Sequence, residues 1–197
     1  MRRSILKPRL VGAASVALAC GACLELPPPR DAAVTLEPRD VVASTMAMEA
    51  GCVTSGVERC FDALDDNCNG VIDEGCGLET GILQFVVAWT EPVDVDLRVS
   101  GPDGAEAAVG ETTPSGLLKD RDCKGTVDCH GQNIENVFLA DGWPRRGRYR
   151  VAVRLEDARD VALPVKVRMS ARIGQRVVTA VVVLEERRAE KSYEFTL

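Results

Sequence analysis

Residues 65–74 combine oxygen-bearing side chains in a pattern that suits a hard cation. Asp65, Asn67 and Asn69 stand at alternate positions, and Gly70 stands where a calcium loop must turn sharply. Side-chain and backbone oxygens of such a loop can all face one Ca²⁺ ion. The sequence therefore predicts a calcium-type site. The predicted ligands are Asp65, Asn67, Asn69, the backbone carbonyl of Val71, Asp73 and Glu74.

This segment is only part of a complete calcium loop. Cys76 occupies the twelfth position, where a bidentate Glu is usual, and Glu74 is the nearest substitute. No helical pattern flanks the loop, so we expect disulfides to close it. Copper is not expected, because the segment contains no Met or His. The alternative is an acidic turn that holds no ion.

Four cysteines, at an even spacing of eight, frame the loop: Cys52, Cys60, Cys68 and Cys76. In an exported protein such cysteines are expected to form disulfides, and four of them allow three connectivities. We favour Cys52–Cys60 or Cys52–Cys68, with Cys76 taking a remaining partner. A zinc site built from the four thiolates is the rival hypothesis, but the paired C-x2-C spacing is missing.

The same stretch resembles a known family. Glu58-Arg59-Cys60 and the run from Asp65 to Gly75 are similar to a short cysteine-flanked metal-binding motif of bacterial secreted and surface proteins. The motif is named after copper-binding surface proteins of methanotrophs. This chain has seven residues between Cys60 and Cys68, one more than the commonest form, and Asn at 67 and 69 lowers the ligand charge. The resemblance implies metal binding and a location outside the cytosol.

The N-terminus has the three-part pattern of a signal peptide. Basic residues precede an apolar run from Leu10 to Ala19, which is too short to span a bilayer. The segment Ala17-Leu18-Ala19-Cys20 fits ordinary signal cleavage and also approximates a lipobox, with Cys20 as the lipidated residue. We therefore predict a signal peptide at 1–19 and an outer-membrane or periplasmic lipoprotein, otherwise a secreted protein. Contact with a membrane is expected only through this lipid.

Composition excludes one class of partner. Residues 1–19 carry four basic and no acidic side chains, so their removal changes the formal charge from −6 to −10. An acidic chain of this kind is a poor binder of nucleic acid. Residues 20–51 follow as a predicted tether that begins at the lipid anchor, because Pro27-Pro28-Pro29 favours an extended conformation.

Apolar and polar residues alternate with period two through most of residues 80–197, and residues 82–89 form a nearly continuous apolar run. Both patterns predict β-strands. We predict an all-β protein: an antiparallel β-sandwich of seven or eight strands, preceded by a small disulfide-stapled metal-binding knot at 52–77. Residues 110–132 are polar and contain Gly, and are predicted to form a loop. The predicted strand regions are 82–89, 94–99, 134–139, 147–155, 165–173, 177–184 and 190–197.

The sandwich resembles a second family across residues 82–155. Its motifs are Trp89, the run from Asp94 to Val99, the turn at 101–104, a D-x-D pair, Glu135-Asn136 and Gly147-x-Tyr149-x-Val151. These are similar to a bacterial β-sandwich domain found in exported and envelope proteins. The resemblance implies a fold and a compartment but no reaction. The insertion from Cys123 to Cys129 is expected to form a local disulfide.

A second cluster of carboxylates is expected at one end of the sheets. Two D-x-D pairs each place their carboxylates on one face of a strand, where they repel unless a cation lies between them. One hypothesis is a second cation site; the alternative is that the Asp side chains bind turn amides and arginines. The residues concerned are Asp94, Asp96, Asp120, Asp122 and Glu135.

No catalytic residues are predicted, so we expect the protein not to be an enzyme. His130 is the only histidine, and it lies beside a cysteine expected to be oxidised. Nucleophile-elbow, phosphate-loop and zinc-protease motifs are missing from the sequence. We predict an interaction or adhesion module whose partner is a protein or glycan on the cell surface. The alternative is a carbohydrate-binding module or an accessory domain of an extracellular hydrolase system.

Overall fold

A computed structural model describes residues 41–52, 56–125, 129 and 131–197. These residues form an all-β structure, and none of their elements is a helix able to cross a membrane. The strands are β1 (Val41–Ser44), β2 (Glu49–Ala50), β3 (Leu83–Trp89), β4 (Asp94–Ser100), β5 (Leu117–Arg121), β6 (Ile134–Leu139), β7 (Arg148–Asp157), β8 (Val165–Ile173), β9 (Arg176–Leu184) and β10 (Glu190–Thr196).

The strands form two antiparallel sheets, which confirms the predicted β-sandwich. One sheet has the order β1-β10-β7-β4, and the other has the order β2-β9-β8-β3-β6-β5. The region 80–197 contributes eight strands, at the upper end of the prediction. The predicted loop at 110–132 is wrong for residues 117–121, which form β5 at an edge of the larger sheet. The sequence did not predict β5 because Lys119 lies on its buried face and so interrupts the alternation of apolar and polar residues.

Strand β3 is apolar on both faces because both are covered. Leu83, Phe85, Val87 and Trp89 pack in the core between the sheets. Val86 and Ala88 point the opposite way, into a second apolar cluster. The run at 82–89 is therefore nearly all apolar because one face of β3 packs in the core between the sheets and the other packs in the second cluster.

The knot, residues 56–77 together with Cys52, supplies the cover for the outer face of the larger sheet. Ala63 and Ile72 of the knot are fully buried with Val86, Ala88, Ile134 and Val177 of the sheet. Polar contacts surround this apolar cluster. Gln84 Nε2 donates to the Ile72 carbonyl at 3.2 Å, and Ser170 Oγ donates to the Ala63 carbonyl at 2.5 Å. The knot is therefore part of the folded core.

Residues 41–50, within the predicted tether, pair with both sheets. β1 pairs with β10, with Val41 opposite Phe195, and β2 pairs with β9, with Glu49 opposite Thr179. The tether prediction is thus wrong for this stretch, since its backbone completes one edge of each sheet. The signal peptide, the rest of the tether and Cys20 lie outside the described residues.

Three disulfides stabilise the described chain. Cys52 pairs with Cys68 and Cys60 pairs with Cys76, so the two bridges of the knot interleave. One of the two favoured pairings, Cys52–Cys68, is confirmed, and the other, Cys52–Cys60, is wrong. The predicted local bridge Cys123–Cys129 is confirmed.

Shortening a knot side chain should destabilise the whole protein. We expect Ile72→Ala to lower the free energy of unfolding by about 2–5 kcal/mol, because it leaves a cavity between the knot and the sheet. Val109→Ala is the control, since Val109 is 58% exposed. Urea unfolding of the oxidised protein measures both. Equal losses would show that the knot does not pack on the sheet in solution.

Candidate functional site

Asp65 organises the oxygen-rich loop. Its carboxylate accepts the Asn69 N–H at 3.0 Å and the Gly70 N–H at 2.9 Å. Gly70 has a φ of 85°, which a glycine adopts without strain and which lets the chain turn there. Asp65 is only 2% exposed, so its charge is held inside the loop.

Asn67 and Asn69 fold the loop around one point. The Oδ1 atom of Asn67 accepts the Asn69 N–H at 3.0 Å, and that of Asn69 accepts the Val71 N–H at 2.8 Å. Short polar side chains commonly bind the backbone two residues ahead in this way. Asn67 Nδ2 donates to Glu74 Oε1, and Asn69 Nδ2 does so at 2.5 Å. Three predicted ligands, Asn67, Asn69 and Glu74, therefore meet.

The second carboxylate oxygen of Glu74 lacks a partner. Glu74 Oε2 is buried and accepts no hydrogen bond within the described residues. A buried acceptor without a partner costs about 1–3 kcal/mol, more when it is charged. Each Asn Oδ1 atom keeps a second lone pair beyond its bond to the backbone. The oxygens of these side chains are of the hard type that Ca²⁺ prefers, and one of them is unsatisfied.

Asp73, the predicted ninth-position ligand, faces a different part of the knot. Its carboxylate accepts the backbone N–H groups of Phe61 at 2.6 Å, Asp62 at 3.2 Å and Ala63 at 3.0 Å. These three residues, 61–63, form a segment that we call the strap. Asp73 is fully buried and fixes the strap against the loop, so we leave it out of the ligand set that we propose below.

Glu58 is a second organising carboxylate, which our site prediction did not include. It accepts the Asp66 N–H at 3.1 Å and the Asp73 N–H at 3.0 Å. Burial, followed by the charge of Glu74, raises the pKa of Glu58 to about 7. Burial likewise raises the pKa of Asp73 to about 6. The available signal was the Glu58-x-Cys60 motif, which points to this residue without giving its role.

Three of the five residues in the second acidic cluster come together. One carboxylate oxygen from each of Asp96, Asp122 and Glu135 lies within 4.8 Å of the others. A lysine provides the positive charge among them: Lys119 Nζ lies 3.0 Å from Glu135 Oε2 and 3.1 Å from Asp122 Oδ1. Burial lowers the pKa of Lys119, but these carboxylates outweigh it and raise the pKa overall. An ammonium group is thus already present where a second cation was hypothesised.

Glu135 also joins the two sheets at one side of the sandwich. Its carboxylate accepts the Leu97 N–H at 2.7 Å and the Cys123 N–H at 3.1 Å. Leu97 belongs to edge strand β4 of the smaller sheet, and Cys123 follows edge strand β5 of the larger sheet. Burial raises the pKa of Glu135. The residue therefore serves as a structural bridge between the edges.

The remaining two members of the cluster differ from each other. Asp120 points away from the cluster and accepts the Glu79 N–H at 2.9 Å and the Asn136 Nδ2 group at 2.6 Å. Asp94 lies near the cluster: burial, followed by the charges of Asp96 and Asp122, raises its pKa. Asp120 is therefore separate from the group formed by Asp96, Asp122 and Glu135, and Asp94 borders that group.

No protein-family model, curated protein or solved structure matches this chain. The two resemblances drawn from the motifs stay expectations. His130 lies outside the described residues, so its expected structural role also stays a prediction.

Removing the buried ammonium group of Lys119 should destabilise the folded protein. We expect Lys119→Met to lower the free energy of unfolding by about 3–5 kcal/mol, because buried carboxylates lose their counter-charge. Lys124→Met is a matched control, since Lys124 is 71% exposed and its Nζ lies 3.8 Å from Asp122. Urea unfolding at neutral pH compares the variants. A loss no larger than that of the control would contradict the assigned role of Lys119.

The raised pKa values of two knot carboxyl groups predict how the free energy of unfolding depends on pH when no divalent cation is present. The pKa values of Glu58 and Asp73, about 7 and about 6, exceed their ordinary values of 4.5 and 3.8. The folded state therefore binds protons more tightly than the unfolded chain, and this stabilisation is complete below about pH 4. It should be lost as the pH rises through 6 and 7.

Urea unfolding at a series of pH values, with a chelator present, measures this fall. Glu58→Gln should reduce the fall between about pH 5 and pH 8, because the amide does not titrate in this range. A wild-type stability that is constant or rises over this range would contradict the assigned pKa shifts.

Proposed function

We propose that the knot binds one Ca²⁺ ion and that the protein is a non-catalytic, calcium-stabilised interaction module. The side chains of Asp65, Asn67, Asn69 and Glu74 would hold the ion, together with the carbonyl of Val71. The observation that carries this proposal is the buried Glu74 Oε2 atom, which has no partner in the described part of the chain. It lies on the side chain that Asn67 and Asn69 both contact.

The chemistry of the donors favours calcium over other metals. All of the proposed ligand atoms are oxygens, and the four cysteines of the knot are consumed in disulfides. This leaves no thiolate for zinc or copper. Only Asp65 and Glu74 contribute negative charge, so we expect the affinity of an extracellular module, with a Kd of about 10⁻⁴–10⁻³ M.

The bound ion would act on the fold and on no chemical reaction. It would supply positive charge to a segment in which Glu74 already raises the pKa of Glu58 by repulsion. It would also satisfy Glu74 Oε2, whose burial is otherwise unfavourable. Because the knot covers the sheet, stabilising the loop stabilises the sandwich beneath it.

Two features support a function outside the cytosol. Three disulfides in the described chain are typical of an oxidising compartment. The signal-like N-terminal sequence with Cys20 is consistent with export and lipidation. We therefore propose an envelope lipoprotein, otherwise a secreted protein, that binds a protein or glycan of the cell surface. Trp89 is only 6% exposed, so it offers no platform that would favour the carbohydrate-binding alternative.

Calcium should raise the melting temperature of the oxidised protein. At about a hundredfold excess over Kd, one ion adds about 2.7 kcal/mol. For a domain of this size the shift is about 5–10 °C. We expect Glu74→Gln to lose most of this shift, because the amide replaces a charged ligand. Differential scanning calorimetry in calcium and in chelator measures the effect.

Glu111→Gln is the matched control, because Glu111 is exposed and outside the knot. It should keep the full calcium shift. An identical melting temperature for the wild type in calcium and in chelator would contradict the proposal that the knot binds an ion. Equal shifts in the wild type and Glu74→Gln would place the ion elsewhere.

A further inference from the structure

A groove runs between the knot and the outer face of the larger sheet. Its volume is about 290 Å³. The strap forms one wall, and outward-facing residues of β8 and β9 form the other. Its main lining residues are Phe61, Asp62, Trp89, Lys166, Arg168 and Val181.

The groove presents apolar surface beside positive charge. Val181 is 63% exposed, and Phe61 is half-buried on the opposite wall. Lys166 is exposed and makes no ion pair within the described residues. Arg168 donates to the Asp62 carbonyl at 3.1 Å and lies 3.9 Å from the Asp62 carboxylate. The two cations thus face a single anion in a protein that is acidic overall.

The wall formed by the strap is held in an unfavourable backbone conformation. Phe61 has a φ of 67° and Ala63 a φ of 55°, values that non-glycine residues rarely adopt. The Asp73 carboxylate fixes these residues by accepting their N–H groups. The Phe61 ring is further positioned by the Arg121 guanidinium, 5.5 Å from the ring centroid. Strained residues held by their surroundings are commonly found at binding sites.

We propose that this groove binds an extended peptide segment of a partner protein that carries an acidic side chain next to an apolar one. The acidic group would lie at Lys166 and Arg168, which supply the uncompensated positive charge. The apolar side chain would lie between Phe61 and Val181. This inference rests on the interaction-module part of the proposed function and names its ligand class.

The test uses the full, oxidised mature chain in calcium. Random peptides displayed on phage are selected on the immobilised protein, and the enriched peptides are synthesised. Binding is then followed by the fluorescence of Trp89, which lines the groove, in a Trp143→Phe background that removes the other tryptophan. We expect acidic-apolar sequences to be enriched and to change the Trp89 emission.

Two groove variants and one matched control decide the outcome. Lys166→Glu and Val181→Asp should each weaken binding by about tenfold or more, because they reverse the charge or remove the apolar contact. Arg148→Glu is the control: Arg148 is 67% exposed and belongs to the smaller sheet. No enrichment of acidic-apolar peptides would overturn the proposal. So would equal binding by the wild type and the groove variants.

Calcium-dependent melting is measured on the same samples, so that the two proposals can be separated. Loss of peptide binding with an intact calcium shift confines the failure to the groove. Loss of the calcium shift with intact peptide binding confines it to the proposed ion.

Discussion

The outer face of the six-stranded sheet must be kept out of water, and much of the structure follows from that constraint. Val86, Ala88 and Ile134 project from this face and would form an exposed apolar patch on an open sandwich. A short knot that is rich in charged residues covers them, using Ala63 and Ile72 as its apolar contacts. Such a segment cannot build a core of its own, so its shape has to be fixed by other interactions.

Three kinds of interaction fix that shape. Two interleaved disulfides each join cysteines 16 residues apart in the sequence. Each lowers the conformational entropy of the unfolded chain and so stabilises the folded state by about 3 kcal/mol. The Asp73 carboxylate holds the strap through three backbone N–H groups. The loop itself gathers Asn67, Asn69 and Glu74 around a point where one carboxylate oxygen is unsatisfied. The proposed ion would complete this third interaction, and the proposed groove uses the strap that the second one holds.

The sequence predicted those features that have a local signal. Alternation, together with one nearly continuous apolar run, located seven of the eight sandwich strands. The two closely spaced cysteines of a chain expected to be exported predicted the bridge Cys123–Cys129. Strand β5 was missed because a buried lysine interrupts its apolar face. That lysine is stabilised by nearby Asp122 and by Glu135, which is distant in sequence. The structural role of Asp73 was also missed. Its partners are backbone N–H groups, which leave no mark in the sequence.

The central claim is that a calcium ion completes the oxygen-rich loop of the knot. A crystal structure of the oxidised protein grown in calcium tests it most directly. The account predicts a strong density peak with oxygens of Asp65, Asn67, Asn69 and Glu74 at about 2.3–2.6 Å. Water alone at that position, with the amides of Asn67 and Asn69 still bound to Glu74, would contradict it.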